Sequence, residues 1–395
     1  MRRVVCLFAL AVLVVALPHT APAQKPSERA YVDAVLDGLV KAGVVTADQA
    51  AQIKKDAQAA AGGPAEAVTP SEKPKKGWTD TVKVSGYGQT RFQWYPDAGP
   101  GEADNELLVR RARVKVTAKP VERMESQFEI DLGQGEATVT DAWLQYDLDP
   151  AGQWRLRAGQ QRVPFGFEVP QPTQSVLPLE LSAMGRTMLP GSRDTGAVAY
   201  WTGAGDRELF ETARKEQFGT GDYGNIAVGV LNGQGLNEPE VNDNKHVVLR
   251  LTDPFMLGKR YAEGGVSYWT GEFYSATAAT EFDDELLGLH FYLPPSPLGV
   301  QAEYYAGETE GANIDGFYGM GLWRPSDKGV AFARFDQYNG PRKGRGLGNA
   351  FDRHSWSLGY AHFLNPNTKV TVEYDLVDTA AGDDDLFGTQ LQLAF

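Results

Sequence analysis

The stretch Leu386-Phe-Gly-Thr-Gln-Leu-Gln-Leu-Ala-Phe395 decides the fold class of this chain. Large apolar side chains alternate in it with Gly, Gln and Ala, so that Leu391, Leu393 and Phe395 fall on the same face. Successive side chains of an extended chain point to opposite faces. The stretch is therefore predicted to be a β-strand with one apolar and one polar face.

The same alternation recurs upstream, from about Trp78 to the last residue, with turn residues between the segments. It is clear, for example, where Val370, Val372 and Tyr374 alternate with polar residues. We predict an all-β fold in which about sixteen antiparallel strands form a barrel. The predicted strands lie near 80-95, 106-118, 122-132, 138-149, 152-162, 194-202, 224-232, 245-252, 262-273, 283-293, 299-308, 315-323, 328-338, 353-363, 368-377 and 386-395.

The beginning of the chain has the pattern of a secretory signal peptide. Met1-Arg-Arg precedes an apolar run from Val4 to Leu17, and Ala21-Pro-Ala23 fits a cleavage site. The apolar run is shorter than the roughly twenty residues that a spanning helix needs. Residues 1–23 are therefore predicted to be removed, and Cys6, the only cysteine, would be removed with them.

Three regions follow the predicted signal. Residues 24–61 are Ala-rich with a helical period, and Thr46 and Gln49 fit a capping box that begins a second helix. We predict a short periplasmic helical segment of coiled-coil type. Residues 62–77 are rich in Pro, Lys, Ala and Glu without an apolar period, which predicts a linker. Residues 78–395 are predicted to form the barrel.

Several features together place this barrel in a membrane. An alternating strand that ends on Phe395 is similar to the C-terminal signal that outer-membrane barrels present to their insertion machinery. Tyr and Trp recur near predicted strand ends, where their rings can lie at lipid headgroups. We therefore predict a transmembrane barrel of the bacterial outer membrane, in contact with lipid and lipopolysaccharide. A soluble β protein with ordinary sheet aromatics is the alternative.

The predicted connections are of two kinds. Short turns, such as Leu148-Asp-Pro-Ala-Gly and Leu364-Asn-Pro-Asn-Thr, alternate with longer acidic or Gly-rich loops. Short turns of such barrels face the periplasm and long loops face outward. The stretch from Gly205 to Gly221 is an exception, because it is long and falls on the side of the short turns.

Charges follow the polar phase of several predicted strands. With Lys119-Pro120-Val121 as a three-residue loop, Lys115 would pair with Glu125 and Arg111 with Glu129, which leaves Arg113 opposite Gln127. Arg113 would then be the best free contact for an anion. The alternative is that these charges only solvate a wide lumen.

A connection of about thirty residues, 163–193, separates the fifth and sixth strands. It is rich in apolar residues that favour burial. A loop of this length in a compact domain is usually functional. We predict that it folds into the lumen and narrows the channel.

The chain resembles the phosphate-selective porin O and P family. The resemblance rests on Gly159, Val163-Pro-Phe-Gly166, Glu168 and the stretch Arg193-Asp194-Thr-Gly196, together with Arg110-Arg-Ala-Arg113 and the terminal Phe395. It implies a homotrimer of sixteen-stranded barrels whose third loop narrows the pore, with basic side chains along the path. In this chain that loop has only Arg186 and Arg193 as basic residues.

These observations lead to a predicted set of pore-lining residues that contact anions. The set is Arg113, Arg186, Arg193, Arg111, Lys115, Arg155, Arg157 and Arg162. No catalytic, cofactor or metal site is predicted. The four histidines after His19 are scattered, and the clusters at 283–285 and 383–385 do not match a calcium loop.

The sequence thus predicts a passive outer-membrane channel for small anions, with phosphate or another oxyanion as cargo. Lys and Arg number 38 against 51 Asp and Glu, and losing Arg2 and Arg3 changes the net charge from −13 to −15. This acidity argues against nucleic acid as a partner. It also keeps open a nonspecific or cation-tolerant porin, and, from another class, an outer-membrane enzyme or structural tether.

Overall fold

The computed structural model describes residues 40, 46–48, 50–52, 55, 81–99, 101–215, 221–276, 278–341, 352–379 and 382–395. The chain divides into two compact units, Met1–Lys75 and Lys76–Phe395. The predicted signal peptide (1–23) and linker (62–77) lie outside the described residues, as does Gln49 of the predicted capping box. In the first unit, Ala47, Asp48 and Ala50 are helical, and the Ala50 N–H donates to the Thr46 carbonyl over 3.0 Å.

The second unit is a closed antiparallel barrel of sixteen long strands, and a two-residue strand, Gly382–Asp383, pairs with Asp378 and Thr379 in the last hairpin. Each strand pairs with its neighbours in the chain, and the first pairs with the last, so no sheet edge remains open. All sixteen predicted strands are confirmed. Their bounds are β1 Val82–Trp94, β2 Asn105–Ala118, β3 Met124–Asp131, β4 Thr138–Asp147, β5 Trp154–Arg162, β6 Arg193–Trp201, β7 Ile226–Leu231, β8 His246–Leu257, β9 Arg260–Ser275, β10 Thr280–Leu293, β11 Leu298–Thr309, β12 Ala312–Ser326, β13 Gly329–Asn339, β14 Arg353–Asn365, β15 Thr368–Thr379 and β16 Leu386–Ala394.

Burial along the strands is inverted relative to a water-soluble protein. Outward side chains such as Leu107, Trp356 and Leu393 are exposed, whereas inward Arg91, Glu303 and their neighbours are buried. An apolar outer surface with an interior of charged and polar groups is the arrangement expected of a barrel in lipid. No helix among the described residues is long and apolar enough to span a membrane.

The connections confirm the two predicted kinds. At one end of the barrel, the turn end, the segment 148–153 is compact because the Asp149 carboxylate accepts from the N–H groups of Gln153 and Trp154 at 3.2 and 2.7 Å. At the other end lies the predicted third loop, residues 163–192, called L3 below. It contains the helix α1, Ala183–Thr187. The long connection 202–225 at the turn end contains the helix α2, Ala204–Lys215.

Candidate functional site

The first residues of L3, which follow β5, contact the inner wall of the barrel at β9 and β11. The two oxygens of the Glu303 carboxylate accept from the backbone N–H groups of Phe167 and Glu168, each at 2.8 Å. Gly166 has φ +64°, and a Cβ there would lie 2.0 Å from the Tyr305 hydroxyl. Glycine is required at this turn because another residue would be strained and would also collide with the wall.

Apolar side chains of L3 then form a core inside the barrel. The Phe165 ring meets the Tyr305 ring edge-on at 4.9 Å, and Phe167 packs on Tyr292 at 4.4 Å. Met184 of α1 packs where Gly316 of β12 leaves room, since a Cβ on Gly316 would lie 2.6 Å from the Met184 Cβ. This packing gives L3 a fixed position, because its apolar residues are removed from water.

The second half of L3 reaches the far wall of the barrel. The Glu373 carboxylate of β15 accepts from the Leu179 N–H at 2.5 Å, and the Lys369 ammonium donates to the Val176 carbonyl at 2.7 Å. Arg334 of β13 donates to the Glu180 carbonyl at 3.0 Å. L3 therefore crosses the lumen and narrows the cross-section that is open to a passing solute.

The Glu180 carboxylate of L3 lies among three guanidinium groups, which we call the Glu180 cluster. Arg91 of β1 and Arg110 of β2 contact Glu180 Oε1 at 2.8 and 2.7 Å, and Arg111 contacts Oε2 at 2.7 Å. Burial alone would raise the pKa of Glu180, but these arginines and Arg186 hold it well below its ordinary value. The cluster therefore keeps a net charge of about +2 at neutral pH.

A second acidic side chain of L3 lies in different surroundings. The Glu168 carboxylate accepts from the Ser182 N–H at 2.8 Å and from its hydroxyl at 2.6 Å, and Arg334 lies 3.9 Å away. Burial raises the pKa of Glu168 to about 7, and the nearby Glu303 adds to the shift. Glu168 thus changes its charge within the physiological pH range.

The predicted register between β2 and β3 is wrong, and Arg113 is not a free cation. Arg113 lies opposite Asp131, and its guanidinium contacts Asp131 at 2.8 Å and Glu129 at 3.3 Å. The connection between the paired residues Ala118 and Ser126 spans residues 119–125, seven instead of three, and Arg123 has a positive φ of 65° there. The longer turn moves Lys115 opposite Glu129 and Thr117 opposite Gln127.

Four other predicted residues are engaged with protein groups. Arg193 contacts Asp141 at 3.2 Å and Glu129 at 3.4 Å. Arg162 donates to the Val169 carbonyl of L3 at 3.1 Å. Arg155 contacts Asp222 at 2.8 Å, and Arg111 belongs to the Glu180 cluster. These side chains lie on the inner face, but their guanidinium groups already donate to protein carboxylates and carbonyls.

The remaining three predicted residues keep donors available to a solute. Arg186 of α1 is exposed, and no ion pair or hydrogen bond of its side chain is found among the described residues. Arg157 donates to Gln145 at 2.8 Å and stacks over Trp143 at 4.1 Å, and it forms no ion pair with a carboxylate among the described residues. Lys115 is half-buried and lines a cavity near the turn end.

Two arginines of the Glu180 cluster, Arg91 and Arg110, were absent from the predicted set. Strand alternation places Arg110 on the outer face if Arg111 points inward. The pairing of β1 with β2 shifts between Gln89 and Thr90, so Arg110 is the extra residue of a β-bulge. Arg110 and Arg111 therefore both reach Glu180. The only sequence signal that could have indicated the bulge is the presence of two consecutive arginines in an alternating strand.

The described residues contain no group of His, Cys, Asp and Glu side chains that could hold a metal ion. What they do contain is a lipid-facing sixteen-stranded barrel whose lumen is narrowed by one inward loop. This architecture defines an outer-membrane porin, which is a diffusion channel and not an enzyme. The family model for phosphate-selective porin O and P matches residues 82–395, so the chain belongs to that family.

Solved structures agree with this fold at low sequence identity. OmpF of Salmonella typhi in complex with daunomycin aligns with a TM-score of 0.54 at 14% identity, covering 80% of this chain and 97% of that one. The outer membrane channel DcaP of Acinetobacter baumannii gives the same TM-score and coverage at 12% identity. A loop deletion mutant of OmpT of Vibrio cholerae gives 0.52 at 15%, covering 80% and 99%. A search of curated proteins finds no match.

Proposed function

We propose that this porin passes small anions in preference to cations, and that phosphate or another oxyanion is its cargo. The observation that carries the proposal is the Glu180 cluster, where three guanidinium groups of the barrel wall surround one carboxylate of L3. Arg110 and Glu180 remain partly exposed, at 27% and 17% of their side chains. A positive potential in a narrow, partly desolvated passage favours anions.

Two roles are assigned to the inner cations. Paired arginines such as Arg113 and Arg193 contribute to the field in the lumen, together with the carboxylates that they contact. Arg186 and Arg157 have donors that a solute can use, and a guanidinium binds an oxyanion through two parallel hydrogen bonds. The inner field therefore sets ion selectivity, whereas these two residues bind phosphate.

The assembly and surroundings are part of the proposal. OmpT of Vibrio cholerae, a trimer form of which aligns with a TM-score of 0.50 at 14% identity, supports a homotrimer here. The exposed apolar outer wall suits contact with lipid and lipopolysaccharide. The terminal Phe395 is 64% exposed, which leaves it accessible to the barrel insertion machinery.

A nonspecific or cation-tolerant porin is the second candidate, favoured by the carboxylates on β3 and β4. Glu129, Asp131 and Asp141 lie together on the inner face, and only Arg113 and Arg193 form ion pairs with them among the described residues. This patch alone carries a slight excess of negative charge. Selectivity then depends on whether the path of ions lies closer to this patch or to the Glu180 cluster.

The experiment compares two arginine variants in planar bilayers, with reversal potential and phosphate block of chloride current as separate readouts. Arg186→Gln removes an available donor, and Arg113→Gln removes a paired one. We expect Arg186→Gln to weaken phosphate block several-fold, and Arg113→Gln to shift the reversal potential toward cations with block retained. Unchanged block in Arg186→Gln, or equal loss in both variants, would contradict the assigned roles.

A further inference from the structure

Arg157 of β5 is contacted on the inner wall by three uncharged side chains. The pairing of β4 with β5 places Gln145 opposite Arg157 and Trp143 opposite Gly159. On the other side, β6 contributes Tyr200, whose ring lies 5.1 Å from the Arg157 guanidinium. We call Trp143, Gln145 and Tyr200 the Arg157 frame.

Gln145 occupies one edge of the Arg157 guanidinium. Its amide oxygen Oε1 accepts from Arg157 Nε at 3.2 Å and from Nη2 at 2.8 Å. Its amide nitrogen donates to the Asp147 carboxylate at 3.1 Å, which turns Oε1 toward Arg157. A guanidinium has five N–H donors in a planar fork. The edge formed by Nη1 and Nη2 therefore keeps two parallel N–H groups that Gln145 does not use.

The two rings of the frame fix the plane of the guanidinium. The Arg157 Cζ atom lies 4.1 Å from the ring centroid of Trp143 and 5.1 Å from that of Tyr200. A cation over an aromatic face is attracted to it, most strongly when the ring is Trp. The Tyr200 ring is itself held, because its hydroxyl donates to Gln161 at 3.0 Å. The rings therefore restrict the motion of the guanidinium out of its plane.

The backbone of β5 explains why the Trp143 ring can lie over Arg157. Gly159, opposite Trp143, has no side chain, so the indole has room to extend diagonally across the strand pair. Gly159 has φ +118°, and a Cβ there would lie 2.2 Å from the Ala142 carbonyl oxygen, so glycine is required. Trp143 is 9% exposed, whereas Arg157 is only half-buried. The contact thus covers the ring and leaves part of the guanidinium accessible from the lumen.

Neighbouring arginines of the inner wall are oriented differently, by carboxylates. Arg113 contacts Asp131 at 2.8 Å. Arg155, two residues before Arg157, contacts Asp222 at 2.8 Å. An ion pair fixes a guanidinium but also supplies a counter-charge and occupies its donors. The Arg157 frame orients its guanidinium without a counter-charge, so both the charge and one edge stay available to a solute.

We propose that Trp143 is a positioning residue for anion specificity, which orients Arg157 so that an oxyanion is favoured over a spherical anion. An oxyanion places two oxygens against two parallel N–H groups, so its binding depends on the direction of the guanidinium. Chloride has no such edge and responds to the charge alone. Donors that are oriented beforehand lose less entropy when the oxyanion binds. This inference rests on the proposed function, in which oxyanions bind Arg157.

The test measures phosphate block of chloride current and the reversal potential in potassium chloride, in planar bilayers. All variants carry Arg186→Gln, which leaves Arg157 as the remaining one of the two proposed phosphate contacts. Adding Trp143→Leu keeps every charge, so the reversal potential should stay unchanged while half-block requires about three to ten times more phosphate. Adding Trp143→Tyr restores an aromatic face and should return block close to that of Arg186→Gln alone.

Two further variants serve as controls. Phe332→Leu should change neither readout, because Phe332 is a buried ring of the inner wall without a cation over its face among the described residues. Gln145→Glu gives Arg157 a carboxylate partner on the edge that the amide now occupies. It should shift the reversal potential toward cations and also weaken block, which separates a loss of charge from a loss of orientation.

The outcomes distinguish the positioning role from the proposed function. Block that is lost in Arg157→Gln but unchanged in Trp143→Leu would overturn the positioning role alone. A shift of the reversal potential in Trp143→Leu as large as that in Gln145→Glu would overturn it too, because orientation does not alter the charge of the pore. Block in the unmodified protein that Arg186→Gln abolishes would overturn binding at Arg157. Absence of block in the unmodified protein would overturn the proposed function itself.

Discussion

Substitution of Glu180 by Gln isolates the charge of the Glu180 cluster. The amide keeps the shape of the side chain and its acceptor oxygen, while the three guanidinium groups at 2.7–2.8 Å lose their counter-charge. One added elementary charge about 5 Å from a passing ion, in water-like surroundings at about 0.1 M salt, changes the ion's energy by about 0.5 kcal/mol. That is roughly a twofold change in the local concentration of each ion, in opposite directions for anions and cations.

The assay is the reversal potential under a salt gradient, measured at low and at high ionic strength. Glu180→Gln should increase the anion to cation permeability ratio about fivefold near 0.1 M salt, and the increase should fall to less than about twofold at 1 M. Glu285→Gln is the control, because Glu285 is exposed on the outer wall, where it accepts from the Tyr268 hydroxyl. An equal shift in both variants, or no shift in Glu180→Gln, would refute the position of the cluster beside the ion path.

Three further predictions concern how L3 and the barrel are held. Arg193→Gln removes an ion-pair partner of Asp141 and Glu129 and should lower the free energy of unfolding by about 3–5 kcal/mol. The gel mobility of heated samples should then show that the barrel unfolds at a lower temperature, whereas Arg186→Gln should unfold like the unmodified protein. Gly166→Ala should displace L3 and raise conductance, whereas Gly321→Ala, with no atom within 4 Å of its Cβ, should not. Packing of L3 in the lumen raises the pKa of Glu168 from 4.5 to about 7, so L3 is held more firmly at low pH and less firmly as the pH rises between these values. Current noise should therefore increase from pH 5 to 8, and Glu168→Gln should abolish that increase.

The strands were predictable because lipid and lumen impose opposite polarity on alternate residues. All sixteen segments follow from that rule, as does the inward direction of Arg111, Arg113 and Arg157. The rule depends only on local sequence, and each strand obeys it independently of its neighbours.

Partners across strands were less predictable, because they depend on turn length and bulges. Residues 119–125 lie between the paired residues Ala118 and Ser126, four more than predicted, and this changes the neighbour of Arg113 from Gln127 to Asp131. One bulge turns Arg110 inward to Glu180, and the alternation of polar and apolar residues does not predict that bulge. Arg155 contacts Asp222 only because the long connection between β6 and β7 brings Asp222 to β5. The contacts with Glu180 and Asp222 join residues far apart in sequence, so predicting them requires the path of L3 and of the connection between β6 and β7.

The most direct test of anion preference is the reversal potential of the unmodified protein, refolded without residues 1–23, in a planar bilayer under a potassium chloride gradient with and without phosphate. The Glu180 cluster and Arg186 predict a reversal potential shifted from zero toward the equilibrium potential of chloride, and a chloride current that phosphate reduces. A potential on the potassium side, or one near zero with no effect of phosphate, would contradict the account and favour a general or cation-tolerant porin.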